Sequence, residues 1–107
     1  MTDLVIIGSG PSALSAAIYA ARDGLSVQVF EKAAFGGIAT TSDLIENYPG
    51  FNEGISGLEL SKKMRIQAEK FGAKFDYGEA LGFENLGNFV QLDIDGEKFD
   101  SKTVLIA

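Results

Sequence analysis

The sequence predicts an α/β fold: a parallel sheet entered by a strand–helix–strand unit, then an amphipathic helix, then a β-meander. Three observations predict it. An apolar run, "DLVII", opens directly into the glycine-bearing stretch "GSGPSA". An alanine-rich helical pattern then leads to the alternating, β-branched run "SVQVF". Near the other end, Asp95-Gly96 separates two strand-like runs as a hairpin turn does.

Taken in order, residues 3–7 are apolar on both faces, as a buried parallel strand requires. Pro11 suits the first helical position, where its missing N–H costs nothing. The helix "SALSAAIYAARD" runs to Gly24, a natural C-terminal stop. Residues 26–30 form the second strand, so the opening spells βαβ. A polar connection with several glycines, residues 32–54, follows; connections of this length are usually functional. A second helix then starts on a capping box of Ser56 and Glu59, with Ile55 and Leu60 as its hydrophobic staple. Leu60, Met64, Ala68 and Phe71 make its buried stripe, and Gly72 ends it. "AKFDYG" forms a short third strand. "VQLDI" and "KFD" pair across Asp95-Gly96, and "TVLIA" is a further, buried apolar strand. Phe71, Phe75, Phe83, Phe89 and Phe99 fall at helix or strand spacing and are expected in the core.

Composition narrows the chemistry. The 107 residues suit one domain, and 46% apolar content is enough for a core. A net charge of -6 provides no broad basic surface for nucleic acid or an anionic membrane. Lys62, Lys63 and Arg65 form one local basic cluster, expected to be a solvated helix face. Cysteine is absent, so the chain carries no disulfide, thiolate ligand or CxxC redox pair. Histidine is absent too, which removes the commonest neutral-pH base and metal ligand. The acids between Asp93 and Asp100 read as an exposed hairpin, not a metal loop. No apolar run reaches the roughly 18 residues of a membrane helix, and no signal peptide precedes the first strand, so a cytoplasmic location is expected.

The motif at residues 8–13 carries the chemistry. A helix N-terminus offers free N–H groups and partial positive charge to a pyrophosphate. Gly8 serves the tight turn and Gly10 the close approach of the phosphate, with Ser9, Pro11 and Ser12 around them. Ala13 stands where the helix packs on the strand, a position that needs a small residue. An acid should follow about 20 residues on to bind a ribose hydroxyl. Glu31, 21 residues beyond Gly10 and followed by Lys32, meets this at the end of "SVQVF". Together these define a Rossmann-like dinucleotide-binding βαβ unit. A carboxylate repels a 2′-phosphate, which disfavours NADP; NAD and FAD both remain open at this level.

With "GSGPSALSAAIYAARDGLSVQVFEK", "FGGIATTSDLIENYPGF" and "GISGLELSKKMRIQAEKFGA" in view, the chain resembles the start of the low-molecular-weight thioredoxin reductases, which are flavoprotein pyridine nucleotide-disulfide oxidoreductases. The resemblance covers essentially all 107 residues, and the second stretch is its specific part. It implies FAD as cofactor, with its pyrophosphate over Gly8, Gly10 and Pro11 and its adenosine ribose on Glu31. It matches the family's Gly-Gly pair to Gly36 and Gly37, and the asparagine that reaches the flavin to Asn47. A segment near Ala80 matches one lying along the adenine. "TVLIA", ending at Ala107, matches the strand that leads into a turn beside the cofactor. In this family the electron donor is NAD(P)H or ferredoxin and the acceptor is a thioredoxin-like disulfide.

Two departures qualify the resemblance. Ile38 stands where the family usually has glutamine, which removes a side-chain hydrogen bond to the flavin. The family's NAD(P)H domain, its CxxC and its C-terminal flavin-binding segment are absent from residues 1–107, so the chain is expected to be the N-terminal half of an FAD domain. No residue qualifies as a catalytic acid, base or nucleophile, so only cofactor contacts are assigned. Two rival readings stand beside this one. A non-catalytic half-domain would bind little cofactor and would bury its exposed apolar surface by homo-oligomerisation. An NAD-binding module would use the same βαβ unit without a flavin. Gly36-Gly37 as a plain loop, and Asn47 and Tyr48 as turn residues before Pro49, are the simpler local alternatives.

Overall fold

A computed structural model describes residues 1–107 in full. Its strands are β1 (Thr2–Ile7), β2 (Val27–Glu31), β3 (Lys74–Tyr77), β4 (Ala80–Asn85), β5 (Val90–Ile94) and β6 (Glu97–Ile106). Its helices are α1 (Pro11–Arg22) and α2 (Gly57–Lys70), with a short 3-10 helix at Gly37–Thr41. All six strands form one sheet in the order β3-β2-β1-β6-β5-β4. β1, β2 and β3 run parallel, β6 joins β1 in parallel, and β4, β5 and β6 pair antiparallel.

Side-chain alternation along β1 divides the core. Ile6 faces α1 with Val27 and Val29, while Val5 faces the opposite side with Phe30, Leu92 and Ile94. This is why "LVII" is apolar throughout: both faces of the strand are covered. Ala13, Ala17 and Ala21 form the buried face of α1, and their small size lets the helix lie close to the sheet. Leu14 turns toward Ile55, Leu60 and Met64, locking α2 against α1. Ser56 Oγ accepts the Glu59 N–H at 3.1 Å, which is one half of the expected capping box; the Glu59 side chain makes no return bond to the Ser56 N–H, and Ile55 and Leu60 share one cluster as the staple predicts. Asp95 and Gly96 both have positive φ, the geometry of a tight hairpin turn between twisted strands.

Several expectations are corrected. "KFD" and "TVLIA" belong to a single ten-residue strand, β6. Ser101 is its pivot, pairing with Val90 on one side and Thr2 on the other. The meander is therefore continuous with the main sheet. The "TVLIA" segment is not buried: Ile106 is 68% exposed. Of the five phenylalanines, none is fully buried; Phe83 on the edge strand β4 is 64% exposed and Phe71 lies at the surface. Phe75 packs on the α1 side of the sheet and Phe99 on the opposite side, while nothing within the chain covers Phe83 on β4. Arg65 also differs from Lys62 and Lys63. Its guanidinium lies 4.2 Å from the centre of the Phe35 ring and bonds Glu69 at 3.1 Å, so it packs where a solvated cation was expected. The acids of the hairpin serve the turn: Asp93 accepts the Gly96 N–H and pairs with Lys98.

The edge of the sheet away from the glycine motif is fastened by Asp3. Its carboxylate accepts the Ser26 N–H at 2.8 Å and pairs with Lys102 Nζ at 3.1 Å, joining β1 to β2 and β6. The Ser26 backbone N–H, then Lys102, then the Ser26 hydroxyl lower its pKa from 3.8 to about 2. A carboxyl with a depressed folded pKa stabilises above its unfolded value and loses that contribution as pH falls through the folded one. Asp3→Asn is therefore expected to lower the melting temperature at pH 7. The gap from the parent should close as both are acidified from pH 4 to pH 2. A gap that stays constant over that range would show that the ionised form contributes nothing.

Candidate functional site

The carboxyl ends of β1, β2, β3 and β6 meet at one edge of the sheet, and a groove of about 520 Å³ opens there. This is where open α/β sheets place their ligands. Its floor is the turn from β1 into α1, Ile7 to Pro11. One wall is Phe30, Glu31 and Lys32 at the end of β2, and another is Gly37, Ile38 and Ala39. Gly78, Glu79 and Ala80 close one side, and Ile106 and Ala107 the other.

The two leading glycines are present for different reasons. Gly8 has φ +106°, and a Cβ on it would stand 2.3 Å from the carbonyl oxygen of Ala107. The fold itself demands this glycine. Gly10 is the N-cap of α1 with φ -69° and ψ 177°, a conformation open to any residue. A Cβ there would meet nothing within 4 Å. It would point into open space, so the fold gives no reason for its absence. Beside it, α1 begins with no side-chain cap and no acid in its first turn. The N–H groups of Ser12 and Ala13 precede the first intrahelical bond, from Leu14 to Gly10, and keep their partial positive charge.

Glu31 is partly buried and held by three residues. Its Oε1 accepts the Ser9 hydroxyl at 2.6 Å, its Oε2 accepts the Ala33 N–H at 3.1 Å, and its carbonyl accepts the Gly78 N–H at 2.9 Å. Partial burial pushes the carboxyl up. Hydrogen bonds from the Ser9 hydroxyl and from the backbone N–H groups of Ala33, Lys32 and Ser9 outweigh it, and the pKa lies below its ordinary value. The acid is therefore ionised at neutral pH and fixed in place.

The connection after β2 is tied down. Gly36 and Gly37 both have positive φ, and they start the 3-10 helix. Gly57 at the start of α2 backs that helix: its N–H donates to Ser42 O at 2.8 Å, and a Cβ on it would fall 1.5 Å from Ala39 O. Ile45 and Ile55 exchange backbone bonds of 2.7 and 2.9 Å, which close the remainder into a loop.

The structure brings Gly8, Ser9, Gly10, Pro11, Glu31, Lys32, Gly37, Ile38, Ala80 and Ala107 to one groove. Ala13 is fully buried between α1 and the sheet, and Ser12 is exposed on the first turn of α1. Gly36 is buried behind Gly37. Asn47 does not line the groove; it lies on the exposed turn of residues 46–52. Ile38 is 88% exposed. Sequence reasoning missed Ile7, Phe30, Ala39, Gly78, Glu79 and Ile106 as lining residues. Gly78 could have been found, since it directly follows the third strand at the same sheet edge as Glu31.

The groove lies inside a match that runs through nearly the whole chain. The model of the pyridine nucleotide-disulphide oxidoreductases matches residues 2–107. The chain is 42% identical over 105 residues to a thioredoxin reductase of Mycolicibacterium smegmatis, covering 98% of this chain and 34% of that protein. Among solved structures, the thioredoxin reductase of Streptococcus pyogenes superposes with a TM-score of 0.94 at 43% identity, over 99% of this chain and 34% of that one. That of Lactococcus lactis superposes at 0.93 and 38% identity, over 99% and 35%. The chain thus spans about a third of the length of the relatives it matches. With its glycine turn, its acid at the end of β2 and its six-stranded sheet all inside that match, the chain belongs to the pyridine nucleotide-disulphide oxidoreductase family, with thioredoxin reductases as its relatives.

Proposed function

We propose that the groove binds FAD and that the chain is the N-terminal part of the FAD domain of a thioredoxin reductase-like oxidoreductase. The observation that carries the reading is Gly10: a side chain is missing where the backbone permits any residue and the space is open. That vacancy at a helix N-terminus suits a pyrophosphate, which needs close backbone approach and positive charge. When bound, FAD supplies electron transfer between an NAD(P)H or ferredoxin donor and a thioredoxin-like disulfide in the whole protein.

The chain's own residues bind and orient. Gly8, Ser9, Gly10, Pro11 and Ser12 offer the pyrophosphate a backbone surface, and Ala13 keeps α1 close behind it. The ionised Glu31 receives the adenosine ribose hydroxyls, with Lys32 at the rim. Gly78, Glu79 and Ala80 flank the adenine. Gly36, Gly37 and Ile38 approach the flavin end from the connection, with Asn47 on the exposed turn beyond and Ala107 on the opposite side. No residue is assigned an acid, base or nucleophile.

A titration of the purified chain with FAD, read by flavin absorbance and fluorescence, tests this. Saturable binding is expected, weaker than in a full-length relative. Glu31→Ala is expected to weaken it by about 10- to 100-fold through loss of charge-assisted hydrogen bonds. NADH binding that depends on Gly10, with no FAD binding, would establish the NAD-module reading.

One observation favours the half-domain reading. Leu81, Phe83 and Ile106 are each at least 60% exposed, and with Ile7, Leu92 and Val104 they line an apolar depression of about 270 Å³. β4 is also a sheet edge with unpaired backbone groups. Light scattering on the titrated samples separates the cases: a colourless oligomer would mean that self-association covers this face and cofactor binding is lost.

A further inference from the structure

Ser9 stands in the motif at a position where glycine-rich turns tolerate many residues, yet here it is 1% exposed. Its buried hydroxyl makes two bonds. It donates to Glu31 Oε1 at 2.6 Å and accepts the buried N–H of Gly36 at 3.0 Å. These bonds span 22 and 27 residues of sequence. They join the acid at the end of β2 to the double glycine that opens the 3-10 helix. No other side-chain hydrogen bond links the Gly36–Thr41 segment to the floor of the groove.

We propose that Ser9 is a positioning residue that couples the two ends of the groove. Its one hydroxyl sets the carboxylate of Glu31 and the position of the Gly36-Gly37 loop together. The hydroxyl has a single proton, and the carboxylate takes it, which leaves the oxygen lone pairs to the Gly36 N–H. The Ala33 N–H holds the second carboxylate oxygen, so the carboxylate plane is set from both sides. Each carboxylate oxygen keeps a free lone pair for a ribose hydroxyl. A neutral Glu31 would give up the strong, charge-assisted bond, loosen the hydroxyl, and release Gly36. Other charged groups near the site do not replace this link. Lys32 is exposed, Glu79 holds its backbone N–H on Asp95, and Asp76, across from Phe30 in β3, is bonded to Gln28.

The functional consequence rests on the cofactor reading above: a ligand that engages Glu31 at the ribose end steadies the loop at the other end. The coupling itself can be tested without a ligand. In the 107-residue chain at pH 7, Glu31→Gln is expected to shift the Gly36 amide resonance in nuclear magnetic resonance spectra. In a Ser9→Ala background the same substitution should leave that resonance where it is. Ser9→Ala alone should speed Gly36 hydrogen exchange about tenfold by leaving a buried N–H without its acceptor. A Gly36 resonance indifferent to Glu31→Gln overturns the proposal, and that measurement decides even if Ser9→Ala fails to fold. FAD titration of the same samples keeps the two readings apart. A responsive Gly36 in a chain that never binds FAD retires the cofactor reading and leaves the coupling. Tight FAD binding with an indifferent Gly36 does the reverse.

Discussion

Gly10→Val is expected to reduce FAD affinity by about a hundredfold or more while leaving the fold intact. The two halves of that result have separate causes. Gly10 has negative φ and an extended ψ, and its Cβ direction is clear of every protein atom within 4 Å. Valine therefore enters without backbone strain. The stability cost is limited to exchanging glycine for a poorer N-cap, about 1 kcal/mol or less. The branched side chain would fill the space directly in front of the α1 N-terminus, where a phosphate must approach the backbone. Circular dichroism and a thermal melt check the fold, and FAD titration checks the site. Unchanged FAD binding would place the cofactor elsewhere. Loss of binding together with loss of the fold would remove the argument from Gly10, because the residue would then be explained by structure alone. Gly8→Val is the contrast: its clash with Ala107 and its positive φ make it a folding defect.

Gly57→Ala is expected to destabilise the chain by about 1–3 kcal/mol, the range for forcing atoms into a packed site. That corresponds to roughly 4–8 °C in melting temperature for each kcal/mol in a domain of this size. The sign is opposite to helix propensity, by which alanine is favoured over glycine by about 1 kcal/mol. Geometry decides it. The new methyl would sit 1.5 Å from Ala39 O and 2.6 Å from Ala39 C, both backbone atoms of the 3-10 helix. No rotamer change relieves that, so α2 and the 3-10 helix must separate. Gly37, Ile38 and Ala39 line the groove, so FAD binding should weaken with stability. Gly82→Ala, on β4 with negative φ and open space around it, is the control and should be nearly neutral. Equal effects of the two substitutions would mean that the α2 start does not brace the loop.

Much of this protein was legible from local pattern. The strand–helix–strand unit could be read because β1 is buried on both faces, α1 is built on alanine, and Gly24 stops it. These are properties of a few adjacent residues. Glu31 could be placed because a fixed distance separates the glycine turn from the end of the next strand. The cap of α2 and the Asp95-Gly96 turn were legible for the same reason. The failures share a cause too. "KFD" and "TVLIA" read as two strands because nothing local records that Ser101 pairs with Val90 and Thr2 at once. Phe83 falls at strand spacing and Ile106 in an apolar run, but such patterns show that a face is apolar, not that anything covers it. Arg65 looked solvated because its aromatic partner Phe35 is thirty residues away.

The βαβ unit, the glycine turn, the acid at the end of β2 and the cap of α2 follow from the stereochemistry and spacing of near neighbours. The reasons for Gly8 and Gly57, the two partners of the Ser9 hydroxyl and the brace behind the loop emerge only in three dimensions. Those depend on atoms brought within a few ångströms by parts of the chain tens of residues apart: Ala107 against Gly8, Ala39 against Gly57, and Gly36 and Glu31 on one buried hydroxyl.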